Sequence, residues 1–297
     1  MPRPGARSGA VATDVVLHPT PRTDLSDAGL IAAIVGDQVA SRVQDPEIPV
    51  EAHLDADVAW ALAPIADTFR NVVVDAHLEA GDADRRIAEI RDTYLRGDTG
   101  FVWWVAPFDT PADLGTRLTN AGLTLEGNAP AMAANLDDIS LDEPPPAGLE
   151  IVPVTDDGTL REYLTIVEAD WLEWRGGEPS AVQRRTLDAF AREIPLRFPS
   201  EPVPLRWLGR VDGQPVATSR VSLGGGVAGL YAILTLPAHR GRGIGRAMTL
   251  AALRAAAGLG YRIGVLQSSD LGYGVYLKLG FRDLFTYDIY VHPAPDG

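Results

Sequence analysis

The run Leu236-Pro237-Ala238-His239-Arg240-Gly241-Arg242-Gly243-Ile244-Gly245-Arg246 decides how this chain is read. Before it, residues 228–236 are continuously apolar, as a buried strand requires; after it, 245–257 is an Ala-rich helix. Glycines at 241, 243 and 245 let the backbone pass through conformations closed to other residues and aim successive N–H groups into one concavity. The helix that follows adds about half a positive charge at its N-terminus. His239, Arg240, Arg242 and Arg246 surround the loop with cationic or protonatable groups. Such a loop is built to hold a phosphate or pyrophosphate. A Walker loop would end in Gly-Lys-Ser/Thr, but Arg246 follows Gly245. A dinucleotide fingerprint needs G-x-G-x-x-G early in its domain, and the glycines here alternate after several strands.

Around this loop the second half reads as α+β. Strands are predicted at 149–154, 206–211, 215–222, 228–236, 262–267 and 285–291, and helices near 160–173, 181–194, 245–257 and 271–279. Asp212-Gly213 predicts a tight hairpin. Asp142-Glu143-Pro144-Pro145-Pro146-Ala147-Gly148 is a stiff linker, since three prolines continue neither a helix nor a central strand. The domain boundaries follow: 1–141, a linker at 142–148, and 149–297. Shifting the second half back by 158 residues lays its strand–helix–strand pattern over 71–78, 87–99 and 104–109, and Gly280-Phe281 over Gly122-Leu123. The chain reads as a duplication.

Of 297 residues, 40 are acidic and 26 basic, a net charge of −14 that argues against a nucleic-acid-coating role. Residues 1–147 hold 24 acids and 10 arginines; residues 148–297 hold 16 acids and 16 bases. The anion loop thus lies in the neutral half. Cysteine is absent, which excludes disulfides, thiolate zinc sites and a cysteine nucleophile; the five histidines form no metal motif. No apolar run reaches the roughly 18 residues of a membrane span, and 1–13 lacks a signal core, so a cytoplasmic location is expected.

Arg240, Gly243 and Gly245, followed by Leu253, Gln267 and Tyr276-Leu277-Lys278-Leu279-Gly280-Phe281, resemble the motifs of the GNAT acetyltransferase superfamily over about sixty residues. The resemblance implies two GNAT-like domains, each a mixed sheet flanked by helices, the first degenerate. It implies acetyl-CoA or another acyl-CoA as ligand, with no metal. The pyrophosphate would lie on the backbone of Arg242, Gly243, Ile244, Gly245 and Arg246, with Arg240 beside it; the pantetheine arm would run along Leu234, Thr235 and Leu236. Tyr276 would protonate the departing thiolate. Ser269 stands where the family often has Asn.

The central strand carries no carboxylate to act as base; Glu168, Asp170, Glu173 and Asp270 are nearby acids, and none is assigned. Trp171 and Trp174, before Gly176-Gly177, lie where the family shapes its acceptor pocket. In the first half the 158-residue shift puts Asp82 on Arg240, Arg85 on Gly243 and Leu118 on Tyr276. A second site of this kind would repel its polyanion. The expected activity is acetyl transfer to an amine of a small molecule or peptide by direct attack, with homo-oligomerisation open. The alternative is a non-catalytic acyl-CoA-binding or scaffold protein, with a dinucleotide enzyme a distant third.

Overall fold

The computed structural model describes residues 19–44, 50–63, 68–175 and 205–294, apart from the side chains of residues 171, 172, 174 and 175. The helix expected at 181–194 and the Gly176-Gly177 pair lie outside the described residues, as do the side chains of Trp171 and Trp174.

The first half contributes helix α1 (Asp27–Gln38) with a π turn at Val39–Val43, and strands β1 (Glu51–Leu54), β2 (Ala59–Leu62) and β3 (Val72–Val74). Helix α2 (Ala83–Arg96), strand β4 (Phe101–Val105), helix α3 (Leu114–Asn120) and the long strand β5 (Thr124–Asn135) follow. The second half supplies β6 (Leu149–Pro153), α4 (Asp157–Arg175), β7 (Arg206–Val211), β8 (Gln214–Ser222) and β9 (Ala228–Thr235). It ends with α5 (Ile244–Gly258), β10 (Ile263–Gln267), α6 (Asp270–Leu279) and β11 (Arg282–His292). These elements match the α+β class read from the sequence. The Asp212-Gly213 hairpin is present, with φ of 51° and 75° as a two-residue primed turn requires.

All eleven described strands form one mixed sheet, in the order β1-β2-β3-β4-β11-β5-β10-β9-β8-β7-β6. The last strand of each half crosses over: β11 pairs with β4, and β5 pairs with β10, while β5 and β11 pair with each other. The linker therefore divides the chain without dividing the sheet. Helices α1 and α4 cover one face, where Leu30 and Ile34 pack over Ala131, Ala133 and Val265, and Leu160 and Ile166 pack with Leu208. Helices α2, α3, α5 and α6 cover the other, through Ile87, Ile90 and Leu118 in one half and Ile244, Met248 and Leu279 in the other. The α2 residues Ile87, Ile90 and Tyr94 recur at helical spacing and are all buried.

The duplication is visible as two parallel β–α–β units, β3–α2–β4 and β9–α5–β10. Their register differs from the gapless 158-residue shift. The N-caps of the paired helices, Asp82 and Gly243, are 161 residues apart. The shift holds from Leu118 and Tyr276, through the left-handed glycines Gly122 and Gly280, to the starts of β5 and β11 at Thr124 and Arg282. The segment from the second parallel strand to that glycine is four residues longer in the first half, running from Val105 to Gly122 rather than from Gln267 to Gly280. Asp82 thus corresponds to Gly243, not to Arg240.

Candidate functional site

Strands β9 and β10 are parallel neighbours only at Ala228/Gly264 and Gly229/Val265. Beyond Gly229 they part. A bulge against β8 lies between the pairs Arg220/Tyr231 and Thr218/Leu234, and Ala232 within it takes a left-handed φ of 48°. β-Bulges re-aim the backbone and side chains around them. The gap opens into a cavity of about 920 Å³. Its wall includes Leu234 and Thr235 on one side, Gly243, Gly245 and Arg246 at the helix, and Ser269 and Tyr276 on the other.

Gly241 and Gly243 both have left-handed φ, 73° and 78°, and Gly243 is the N-cap of α5. The first-turn N–H groups of α5 have no carbonyl one turn back to pair with, so the cradle presents them beside the helix dipole. Arg240 reaches across the mouth: Nε donates to the Thr235 carbonyl at 3.0 Å, and Nη1 and Nη2 each donate to Glu173 at 2.7 Å. This bond pulls the Glu173 carboxyl below the usual carboxylate range. Asp170, also lining the cavity, is pushed up by burial and by Glu173. Arg246 donates to Glu143 of the linker at 2.6–3.1 Å, and Pro146 lies 3.4 Å from where a Cβ on Gly243 would sit.

Tyr276 is 8% exposed, packs edge-on against Phe281 and has its phenol pushed up to about 12 by burial. It therefore keeps its proton at neutral pH. Gly272, one turn earlier, makes room for the ring: a Cβ there would sit 2.7 Å from Cε2 of Tyr276. The spacing of Gly272 and Tyr276, four residues on one helix, was a legible signal that sequence reasoning passed over. Ser269 caps α6 by accepting from the Gly272 N–H, and still faces the cavity.

Of the residues singled out from the sequence, Leu234, Thr235, Arg240, Gly243, Ile244, Gly245, Arg246, Ser269 and Tyr276 converge on the one cavity. Leu236 does not line it; its N–H is bonded to Val216 of β8, and its side chain packs beneath α4. Arg242 is exposed and turns toward His239, 3.3 Å away. Among the four nearby acids, Asp170 and Glu173 line the cavity, and Glu168 and Asp270 do not. Among the described residues no group of three His, Asp or Glu is placed to hold a metal ion, and no helix is long and apolar enough to cross a membrane.

The equivalent place in the first half is different. Asp82 stands at the N-cap of α2, and Arg85 donates to its Oδ1 at 2.6 Å. A carboxylate with its own cation fills the position where α5 has a bare glycine.

Residues 163–281 match the acetyltransferase (GNAT) family. This segment is a GNAT domain. It covers the cavity, the glycine loop and Tyr276, and stops at Phe281. Over its whole length the chain is also similar to solved GNAT structures. A GCN5-related N-acetyltransferase from Kribbella flavida is 21% identical, with a TM-score of 0.65 over 90% of this chain and 96% of that one. A GCN5-related N-acetyltransferase from Sphaerobacter thermophilus is 16% identical, with a TM-score of 0.56 over 92% and 95%. A tandem GNAT protein from the clavulanic acid biosynthesis pathway is 15% identical, with a TM-score of 0.54 over 93% and 90%. At these identities the likeness is one of fold, and it extends across both halves around the GNAT domain. No curated protein matches the chain.

Proposed function

We propose that the GNAT domain transfers an acetyl group from acetyl-CoA to a primary amine by direct attack, within the cytoplasm. The observation that carries this reading is the joining of a left-handed glycine cradle, a helix N-terminus and a buried protonated phenol around one cavity. The donor set fits a CoA: backbone N–H groups and arginines suit its phosphates, and the parted edge of β9 suits its amide arm. Bound there, acetyl-CoA supplies an activated thioester carbonyl. The Arg240 side chain positions the phosphates once Glu173 releases it, and the Gly243 backbone lets them approach the helix end. Tyr276, with no hydrogen-bond partner on its hydroxyl among the described residues, is free to give its proton to the leaving sulfur. Residues 1–141 are read as the half without a cofactor site, because Asp82, paired with Arg85, puts a carboxylate at the corresponding helix end.

Calorimetric titration with acetyl-CoA tests the reading. One site per chain is expected, with no binding of NAD. Thiol release in the presence of primary amines then tests transfer. Two equal sites would overturn the assignment of an inert first half, and tight NAD binding without CoA binding would overturn the whole.

A further inference from the structure

The GNAT domain has no carboxylate on its central strand, yet the fold delivers one to that strand from the other half. Asp37, near the end of α1, is fully buried. The β8–β9 turn and the start of β9 are shaped around it. A Cβ on Gly225 would lie 2.6 Å from the Asp37 Cα, and one on Gly229 would collide with the Asp37 carboxylate. Tyr231 of β9 donates its hydroxyl to Asp37 Oδ2 at 2.5 Å. Ser41 Oγ lies 2.5 Å from the Tyr231 hydroxyl and donates to the Asp37 main-chain carbonyl at 2.6 Å. Oδ1 of Asp37 has no hydrogen-bond partner among the described residues. A buried carboxylate with one oxygen unsatisfied is costly, and a purely structural contact between the halves does not require one.

We propose that Asp37 is the final proton acceptor of acetyl transfer, reached from the acceptor amine through the Tyr231 hydroxyl. This rests on the transferase reading and supplies the base it lacks. Tyr231 lies two residues past Gly229, where β9 leaves β10, and directly before the left-handed Ala232. Ile233, Leu234 and Thr235, next along the strand, already line the cavity. Tyr231 therefore stands at the inner end of the split, and it is partly exposed where Asp37 is not. Asp170 is the rival acid, but it lies beside Glu173 and Arg240 at the phosphate-loop end.

The three side chains can store a proton without losing a bond. With Asp37 ionised, Tyr231 donates to it. With Asp37 protonated, the carboxyl donates to Tyr231, Tyr231 donates to Ser41, and Ser41 donates to the Asp37 carbonyl. In the reaction the amine nitrogen attacks the thioester carbonyl carbon, and the carbon–sulfur bond breaks. The nitrogen's proton passes to Tyr231 as the Tyr231 proton passes to Asp37, and the departing thiolate takes the Tyr276 proton. Amide and free thiol leave, and exchange with water returns the proton from Asp37 to Tyr276. Tyr231 is the catalytic residue of this pair and Asp37 its positioning and proton-holding partner.

The surroundings set the working range. Burial pushes Asp37 up to about 7 against the pull of the Tyr231 bond, Arg220 on β8 and Arg42 on the π turn. The Arg42 guanidinium lies over Trp104 at 4.6 Å and Tyr231 at 5.5 Å, and that of Arg220 over Tyr231 at 5.4 Å. Arg70 acts electrostatically on Arg42, and Tyr287 of β11, near Asp37 and Arg42, also feels Asp75 and Asp109.

The test uses the full chain, acetyl-CoA and a panel of aryl-ethylamine, polyamine, amino-acid and amino-sugar acceptors, read by thiol release. Asp37→Asn and Tyr231→Phe are each expected to lower kcat about 100-fold with acetyl-CoA Kd unchanged. The wild-type acid limb near pH 7 should vanish in Asp37→Asn. Wild-type turnover with an intact acid limb in both variants overturns the relay and leaves the transferase reading standing. No thiol release from the wild-type chain with any amine overturns both. Carboxyl-carbon NMR of the unmutated protein gives a check independent of folding in the variants: an Asp37 midpoint near 7 is expected, and an ordinary carboxylate value overturns the relay.

Discussion

Glu143 Oε2 lies 2.6 Å from Arg246 Nη2, so the linker between the halves closes on a cation of the anion loop. The contact holds the Glu143 carboxyl below its usual range, and Pro146 of the same linker rests against Gly243. A phosphate arriving at the first turn of α5 competes with this carboxylate for Arg246. Glu143→Gln should therefore tighten acetyl-CoA binding, by about two- to fivefold, as expected for removal of an exposed pair. The gain should shrink as salt screens the competing charges. Calorimetry at two ionic strengths checks it; an unchanged or weaker Kd would mean that Arg246 does not face the ligand.

Gly243 should not tolerate a carboxylate. Its φ of 78° strains any side-chain-bearing residue, and its place at the N-cap sets whatever it carries at the mouth of the cradle. Gly243→Asp puts at α5 what the first half already has at α2, where Asp82 stands at the N-cap position. Acetyl-CoA affinity should fall by a factor of about 100 or more, the charge repulsion and the lost backbone approach acting together. Circular dichroism should show the fold retained. Full affinity in a folded variant would remove the loop from phosphate binding.

The glycine loop, the hairpin and the Tyr276 helix were legible because local chemistry specifies them: alternating glycines, an Asp-Gly turn, and a helix ended by a left-handed glycine. The exchange of β5 and β11 was not, because pairing partners for the last strand of each half are chosen by distant contacts. A long strand such as β5 or β11 reads the same whichever neighbour it takes. Asp37 was hidden for the same reason. Its role depends on Gly225, Gly229 and Tyr231, nearly two hundred residues away, and no local pattern marks an aspartate near a helix end as buried. The duplication was legible, but its register was misread because the first half carries four extra residues before Gly122.

Tyr276→Phe separates binding from chemistry. The ring fills the space beside Gly272 and Phe281, and Phe fills it equally, so packing and acetyl-CoA Kd should be unchanged. Without the hydroxyl the thiolate must take its proton from water, and kcat should fall about 10- to 100-fold. Because burial lifts the phenol to about 12, no basic limb from Tyr276 should appear in the kcat profile below pH 10. Steady-state thiol release from pH 6 to 10 gives both readings, and an unchanged kcat would take Tyr276 out of the reaction.

Asp109 predicts a pH dependence of stability separate from catalysis. It is 6% exposed, accepts the Ala106 N–H on Oδ2 at 3.0 Å, and has no partner on Oδ1 among the described residues. Burial pushes it from the ordinary 3.8 up to about 7, with Asp75 adding to the rise and the Ala106 N–H and His77 opposing it. The folded state then binds a proton that the unfolded state has already lost between about pH 4 and 7. Its contribution therefore falls as pH rises through that window and levels off above 7, the reverse of a salt-bridged carboxylate. Asp109→Asn cannot ionise, so the variant's melting temperature should gain on the wild type as pH rises from 5 to 8, with the difference flat above pH 8. Asp37→Asn should show the same sign, since burial lifts Asp37 to a similar value. Thermal melts across this range, read as variant minus wild type, decide the matter. A flat difference for Asp109→Asn would place its carboxyl at an ordinary acidity and show that water reaches Oδ1.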